Sequence, residues 1–500
     1  MKLTITMIFI GCAVVAALMT VLMQFFAAKA RKSWIMSFAQ YFTGVLFVFS
    51  GFVKAVDPLG TAYKMEQYFN EFYYTFEGTW FSFLAPIFPF FNNYSIIFSV
   101  VMIVFEIVLG IMLILGMRAK LSGWLFLLLV GFFTFLTGFT YLTGYVPDGV
   151  NFFSFGSWSE YKASNMKVTD CGCFGDFIKL EPKTSFFKDL ILLVPAIYFV
   201  FRYKDMHQFF TKKTRNIIVA VSTVLLLVYC WSNYVWDIPH ADFRDFKIGT
   251  DVAAKKEMED QAQAEVQVVE WIIKNKDTEE VLQLKTKEYF DNYTSTYSKD
   301  KGWEVLEQIK SEPSIKPSKI SDFDIKDYEN NDITYEYLEE EGYHFMIISH
   351  KSYSEPSTEM VTVQDTTFMY DTIQTVDNTP PQILKRVGEV TSREQEEVDH
   401  IWDNDYKGDF VDVIKPIADK AVADGHKVSI VFGGATKDMV EDFASETGIS
   451  ANFYQADDIL LKTIVRSNPG IVLWKDGKIV YKWHKNKVPN YEDLKSEFLK

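Results

Sequence analysis

Six long apolar runs dominate the first half of the chain. They cover residues 4–26, 35–53, 95–117, 120–144, 186–202 and 216–236. A helix needs about 20 mostly apolar residues to cross the hydrocarbon core of a bilayer, and runs of this length seldom occur together in a soluble protein. The pattern therefore predicts an integral membrane protein with about six transmembrane helices in contact with membrane lipid.

Basic residues mark one end of these predicted spans. They occupy the connections after the first span, between the third and fourth, and between the fifth and sixth: 29–32, 118–120 and 202–215. Because Lys and Arg concentrate in cytoplasmic loops, we expect loops 54–94 and 145–185, the N-terminus and everything after residue 236 to lie outside the cytoplasm. This topology predicts a multi-pass membrane protein whose C-terminal half lies outside the cytoplasm.

A cleaved signal peptide over residues 1–30 is the competing interpretation of the first run. Ala28, Lys29 and Ala30 fit a small-residue cleavage pattern. However, only Lys2 precedes the apolar run, which is longer than a usual signal sequence, and the basic cluster follows it. We therefore expect residues 1–34 to form a retained transmembrane helix and a basic loop.

Charge divides the chain at the end of the last span. Up to residue 236 there are 18 Lys and Arg against 12 Asp and Glu, whereas the remainder has 32 against 53. The second half is thus strongly acidic and would repel phosphate, so nucleic acid is not an expected partner. No phosphate-binding loop, hydrolase motif or dinucleotide fingerprint accompanies these charges.

The cysteines carry the chemical interest. Cys12 and Cys230 lie in apolar runs, where a thiol usually acts as a small apolar group. The other two occur in a hexapeptide between the fourth and fifth spans: Cys171, Gly172, Cys173, Phe174, Gly175 and Asp176. The soluble half has no cysteine, and the loop has no further Cys or His at useful spacing, so a zinc site is not predicted.

The Cys171–Cys173 pair has more than one interpretation. A small, strained disulfide across Gly172 would be readily exchangeable, which favours a redox role. A static bridge that braces the loop, two ligands of an incomplete metal site and a reduced pair that only packs are the alternatives. Asp170 and Asp176 flank the pair and are expected to raise the thiol pKa values, which slows attack by a thiolate.

Three polar residues near the second and third spans complete the candidate site. Pro58 is expected to end the second helix, while Lys54 reaches the membrane surface and pairs with Asp57. A simple helix cap and interfacial anchor explains the same residues. Glu106 is an intramembrane carboxylate expected to face the bundle interior, either in function or in a protonated or paired interhelical hydrogen bond.

These motifs resemble a known family of membrane proteins. Residues 49–61, with Lys54 before Asp57 and Pro58, resemble the DoxX signature, and the four-span core of 35–202 with its cysteine motif is similar to the DoxX/MauE (methylamine utilisation MauE) group. The resemblance implies a bundle over 35–236 in a bacterial inner membrane, with the C-terminal half periplasmic. It also implies a role in extracytoplasmic thiol-disulfide or respiratory electron-transfer chemistry. It implies an extracytoplasmic thiol or electron-transfer protein, or oxidoreductase subunits, as partners. A quinone is the candidate cofactor, and no other cofactor is evident.

The segment after the last span, 237–319, is a juxtamembrane region. Residues 238–250 resemble a Leu-Pro-x-x-Asp-Phe-Arg-Pro-Tyr-x-x-Gly signature of extended MauE/DoxX proteins, with Asp245 and Phe246 in place of Pro and Tyr. His240, Asp242 and Arg244 form a polar site or, alternatively, a membrane-surface anchor. A charged helix, short strands and a linker near 312–319 are predicted to follow.

Residues 320–500 alternate strand patterns, with buried strands predicted over 344–349 and 427–432, and helix patterns, which predicts an α/β domain. The order of elements resembles the thioredoxin-like fold, with Pro469 in the place of its cis-proline and a final hairpin through Asp476 and Gly477. The residues after 349 lack the family's Cys-x-x-Cys, and an acidic insertion occupies 355–407. We therefore expect a domain that binds a client or partner and exchanges no dithiol itself.

Two other functions remain open from the sequence. A non-catalytic membrane scaffold would use the cysteine pair only as a structural bridge. A subunit of a larger quinol-linked oxidoreductase is the second, because DoxX-type proteins take their name from such a complex.

Overall fold

The computed structural model describes residues 4–26, 28–168, 171–373 and 382–499. The contacts between residues divide the chain into two units, Met1–Lys247 and Ile248–Lys500. The first is helical and the second combines strands with short helices.

The first unit contains long apolar helices and two shorter ones. These are α1 (Ile5–Phe26), α2 (Trp34–Val56), α3 (Pro58–Phe76), α4 (Ile87–Asn93), α5 (Ser95–Leu115), α6 (Ala119–Thr143), α7 (Pro182–Phe201) and α8 (Lys212–Trp231), which continues as a π-helical turn over Ser232–Trp236. Six of them, all but α3 and α4, are long and apolar enough to cross a membrane. The six predicted long apolar helices are therefore confirmed.

The outer faces of these helices are apolar. Leu18 of α1, Val194 of α7 and Leu225 of α8 are each more than half exposed. Exposed aliphatic side chains on long helices are suited to contact with lipid chains, whose packing replaces the burial that a soluble protein would need.

Helices α2 and α5 approach each other most closely at glycines. A Cβ added to Gly44 would lie 2.8 Å from the carbonyl oxygen of Gly110, and one added to Gly51 would lie 2.5 Å from a side-chain carbon of Ile107. Small residues allow such contact between backbones in membrane helices. This contact holds together the two helices that carry Lys54 and Glu106.

Helix α3 was not anticipated in the predicted outer loop. Asp57 caps it by accepting a hydrogen bond from the backbone N–H of Gly60 at 3.1 Å, and Pro58 is its first residue. Its inner face buries aromatic side chains against α6, and the hydroxyls of Tyr68 and Thr140 lie 2.7 Å apart. Pro58 therefore ends one helix and begins the next, as its fixed φ angle allows at a first helical position.

The second unit contains ten strands and several short helices among the described residues. The strands are β1 (Val268–Asn275), β2 (Val281–Lys285), β3 (Trp303–Lys310), β4 (Tyr343–Ser349), β5 (Ser354–Ile373), β6 (Gln382–Trp402), β7 (Lys427–Gly433), β8 (Asn452–Ala456), β9 (Gly470–Lys475) and β10 (Lys478–His484). The helices are α9 (Val252–Ala264), α10 (Thr286–Asp291), α11 (Thr334–Leu338), α12 (Asn404–Gly408), α13 (Lys415–Ala423), α14 (Lys437–Thr447), α15 (Asp458–Ile464) and α16 (Tyr491–Phe498).

The largest sheet has five strands in the order β10-β9-β4-β7-β8. Strand β4 is parallel to β7, and β7 to β8, whereas β9 and β10 are antiparallel additions on the other side. Buried aromatic side chains pack on one face of the sheet around Phe432 and Phe443. The first three strands form a separate antiparallel sheet in the order β2-β1-β3.

The predicted insertion over 355–407 contains a long two-stranded hairpin. Strands β5 and β6 pair from Ser354 opposite Trp402 to Ile373 opposite Gln382. Trp402 anchors the base of the hairpin in the core, with its ring 4.9 Å from that of Phe443. The described side chains beyond the base are mostly exposed, so this part of the hairpin is an extended surface element.

A buried histidine gives the second unit an acid-sensitive core. His344 on β4 is 5% exposed, its Nε2 lies 2.8 Å from Ser429 Oγ, and burial lowers its pKa to about 3. The pKa of His344 is lower in the folded state than in the unfolded chain, where an unperturbed histidine has a pKa of about 6.5. The full contribution of His344 to stability is therefore present above about pH 6.5. That contribution is lost as the pH falls towards 3, by up to about 1.4 kcal/mol per pH unit.

We expect His344→Gln to flatten this acid dependence. Pulse proteolysis of the full chain in detergent, from neutral to acidic pH, measures the unfolding of the second unit. His426→Gln changes a half-buried histidine of the same unit and is the matched control. An unchanged acid slope in His344→Gln would show that His344 does not determine it.

Candidate functional site

The cysteine motif forms a tight loop between α6 and α7. Gly172 and Gly175 have φ angles of +59° and +52°, a left-handed conformation that glycine adopts readily. The N–H of Gly175 donates to the carbonyl of Gly172 at 3.2 Å, which closes the turn. Phe174 is 1% exposed and packs into the core of the bundle, so its side chain anchors the loop.

This loop closes one end of a cavity within the bundle. The cavity has a volume of about 50 Å³, room for a few waters at about 10–15 Å³ each. Apolar side chains of α2, α3, α5, α6 and α7 form most of its wall. The polar lining consists of Ser50, Lys54, Thr61, Glu106, Thr137, Cys171, Cys173, Lys188 and Asp189.

Lys54 of α2 and Glu106 of α5 form the first ion pair of the cavity. Their side chains are 6% and 3% exposed, and Lys54 Nζ lies 2.5 Å from Glu106 Oε2. The prediction that Lys54 reaches the membrane surface is therefore wrong. Lys54 points inward because the carboxylate of Glu106 is its counter-ion there, while Asp57 caps α3. The expectation that Glu106 faces the interior as a paired group agrees with this geometry.

Lys188 and Asp189 of α7 form a second buried ion pair, with Lys188 Nζ 2.5 Å from Asp189 Oδ1. The other carboxylate oxygen of Asp189 accepts a hydrogen bond from Thr137 Oγ1 of α6 at 3.0 Å. Sequence reasoning missed this pair as part of the site. The signal was two adjacent charges inside the fifth apolar run, which is unusual for a lipid-facing position.

The hydroxyl of Thr61 has no hydrogen-bond partner in the described part of the chain. The residue is 8% exposed and lines the cavity. Buried hydroxyls normally pair with protein or water. The cavity is therefore polar enough and large enough to suit ordered water beside the cysteines.

Cys173 is tied to both the loop and the cavity. Its carbonyl accepts a hydrogen bond from Ser50 Oγ at 2.9 Å, and Cys171 and Cys173 are both in the thiol form. Burial raises the pKa of the Cys173 thiol, and the charge of Lys188 opposes this effect. The flanking aspartates were expected to raise the pKa. Burial is the largest cause and Asp189 is the carboxylate that raises this pKa, while Asp170 lies outside the described residues.

Gly172 is confined by its conformation and by a neighbouring side chain. A Cβ at this position would lie 3.2 Å from Lys64 Cγ, whereas one at Gly175 would meet nothing within 4 Å. Left-handed backbone costs about 1–2 kcal/mol for a residue with a Cβ. Gly175→Ala is therefore a control for strain alone.

We expect Gly172→Ala to slow the closure of the Cys171–Cys173 disulfide several-fold more than Gly175→Ala does. The rate of thiol loss after a pulse of diamide, in a background where Cys12 and Cys230 are serine, measures this difference. Equal rates in the two variants would mean that crowding of the added methyl group against Lys64 does not affect closure of the pair.

The juxtamembrane segment packs beside this loop. The rings of Phe243 and Phe177 lie 4.9 Å apart in an edge-to-face arrangement. Arg244 and Asp242 form a two-point pair, with Nε to Oδ1 at 2.7 Å and Nη2 to Oδ2 at 2.9 Å. Phe243 therefore contacts the loop region, whereas His240 lies against Tyr229 and Asn233 at the end of α8, and none of the three predicted polar residues lines the cavity.

In the second unit, polar groups surround the end of β4. Ser349 Oγ lies 2.5 Å from the hydroxyl of Tyr406, and Asn468 Nδ2 donates to the carbonyl of Lys351 at 2.7 Å. The peptide bond between Asn468 and Pro469 is cis. These contacts fix the segment after β4 without any sulfur.

Comparison of the chain with protein-family profiles, with curated proteins and with solved structures gives no significant match.

Proposed function

We propose that this protein supports thiol-disulfide or electron-transfer chemistry outside the cytoplasm, with Cys171 and Cys173 as the exchangeable pair. One observation carries the proposal: the two thiols line a cavity that also contains two buried ion pairs. Buried charges in a membrane bundle are costly and commonly mark a functional site. The motifs that resemble DoxX/MauE proteins agree with this role.

The proposed exchange begins with the pair as a disulfide. A client thiolate attacks the sulfur of Cys171, a client–Cys171 disulfide forms, and Cys173 leaves as a thiolate beside Lys188. The second client thiolate then attacks the client sulfur of this mixed disulfide and releases Cys171. Two electrons and two protons have moved from the client dithiol to the pair.

Return to the disulfide needs an acceptor for those two electrons and two protons. A quinone of the bilayer, which becomes a quinol, and the disulfide of a second thiol protein are the two chemical classes that fit. The position of the pair at one end of a membrane bundle suits either acceptor.

The second unit is proposed to bind the client or partner. The order of its five-stranded sheet, with two parallel strands on one side of β4 and two antiparallel strands on the other, supports a thioredoxin-like assignment. Because residues 248–500 contain no cysteine, this unit contributes recognition and no exchange step. The long β5–β6 hairpin offers additional surface for such a partner.

A structural bridge is the second candidate for the cysteine pair. It is favoured by the burial that raises the pKa of Cys173, because a thiolate is the nucleophile in exchange. In that case the protein is a membrane scaffold, and loss of both cysteines lowers stability while a partner stays bound.

A thiol-trapping titration separates these two functions. Native membranes containing the Cys12→Ser/Cys230→Ser variant are equilibrated at a series of redox potentials. A maleimide gel shift then reports the fraction of Cys171 and Cys173 that is reduced. A midpoint near or above about −200 mV, in the range of exchange catalysts, supports the redox function. A pair that stays oxidised below about −300 mV is a structural bridge and contradicts it.

A further inference from the structure

A second cavity lies at the other end of the bundle from the cysteine loop. It is formed where three connections meet: the one before α2, the one between α5 and α6, and the one between α7 and α8. Lys32 of the first connection donates through Nζ to the carbonyl of Lys204 in the third at 2.7 Å. The three basic connections therefore converge on one site.

This cavity is large and strongly positive. Its volume is about 810 Å³, and its lining contains four cationic side chains: Lys32, Arg118, Lys120 and Lys204. The lining has no carboxylate in the part of the chain that the structure describes. The nearby Asp205 pairs with Arg202 at 2.5 Å, so its charge is already engaged. Four like charges around one space repel one another unless an anion neutralises them.

The same cavity has an apolar side. Leu121 and Trp124 of α6 line it and are 43% and 47% exposed. Both belong to the first turns of a helix that is long enough to cross the bilayer. A cationic pocket joined to exposed apolar side chains at a helix end matches the two parts of a phospholipid, and Trp favours the membrane interface.

We propose that this cavity binds the phosphate headgroup of an anionic phospholipid, with its acyl chain against Leu121 and Trp124. The site is independent of the cysteine chemistry, since it lies at the opposite end of α6 and α7. A zwitterionic lipid leaves the four cations without a net counter-charge, so the site discriminates between lipids by charge.

Native mass spectrometry of the full chain in detergent, titrated with cardiolipin or phosphatidylcholine, tests the site. We expect cardiolipin to bind preferentially. Arg118→Gln with Lys204→Gln should weaken it about 30-fold, equivalent to about 2 kcal/mol for two cations. Lys212→Gln with Lys213→Gln removes the same charge from exposed positions of α8 outside the lining, and should change binding less than threefold.

Two further measurements distinguish a lipid headgroup from free inorganic phosphate. Leu121→Gln should weaken cardiolipin without changing the binding of inorganic phosphate, because only the lipid has an acyl chain. Inorganic phosphate that binds with the same sensitivity to Arg118 and Lys204 and fully displaces the lipid would overturn the proposal in favour of a free-anion site. Equal losses in the two double variants, or no preference for cardiolipin, would also overturn it.

Discussion

Lys54→Met is expected to destabilise the first unit by about 3–5 kcal/mol, because it leaves the carboxylate of Glu106 buried without its counter-ion. Both side chains are almost fully enclosed, so the carboxylate stays shielded from bulk solvent and only the few waters of the cavity can approach it. The free energy of unfolding of the full chain in mixed micelles, followed by denaturant titration, measures the effect. Glu106→Gln is also expected to lower the free energy of unfolding, because it removes the counter-ion of Lys54.

The double variant Lys54→Met/Glu106→Leu distinguishes a pair that stabilises from one kept for function. Replacement of both charges by apolar side chains is commonly neutral or stabilising, so we expect most of the lost stability to return. We also expect the double variant to show altered redox behaviour of Cys171 and Cys173, since the pair lines their cavity. A double variant with wild-type stability and an unchanged midpoint would mean that this ion pair has no part in the chemistry.

The hydropathy pattern located the membrane helices because their length is set locally by the thickness of the bilayer. The site could not be assembled in the same way. Lys54 and Glu106 are 52 positions apart and meet only because α2 and α5 touch at Gly44 and Gly110. Sequence spacing instead favoured Asp57 as the partner of Lys54, since three residues along a helix bring side chains together.

The second unit shows the same division between local and distant information. Continuous apolar runs predicted β4 and β7, which are buried over almost their full length. Strand β8 was missed because it is an edge strand with only partly buried residues, so its sequence has no strong apolar pattern. The pairing of β4 with both β7 and β9 depends on contacts across many residues, which periodicity does not encode.

Lys188→Met is expected to slow alkylation of Cys173 by about 10-fold. Loss of a nearby positive charge raises a thiol pKa, and below that pKa the rate falls with the fraction of thiolate. The effect adds to the burial that already raises the pKa of Cys173. The measurement is the rate of reaction with a small alkylating reagent, in a background where Cys12, Cys171 and Cys230 are serine.

Asp189→Asn provides the opposite change at the same ion pair. It removes a negative charge that also raises the pKa of Cys173, so we expect alkylation to become faster. Lys183→Met, at an exposed position of α7, is the matched control and should leave the rate unchanged. If Lys188 and Asp189 had only a structural role, breaking the pair from either side would loosen the helix and expose the thiol. Both variants would then react faster. Opposite effects of the two substitutions are therefore the result that assigns Lys188 to stabilisation of the Cys173 thiolate, the leaving group of the proposed exchange.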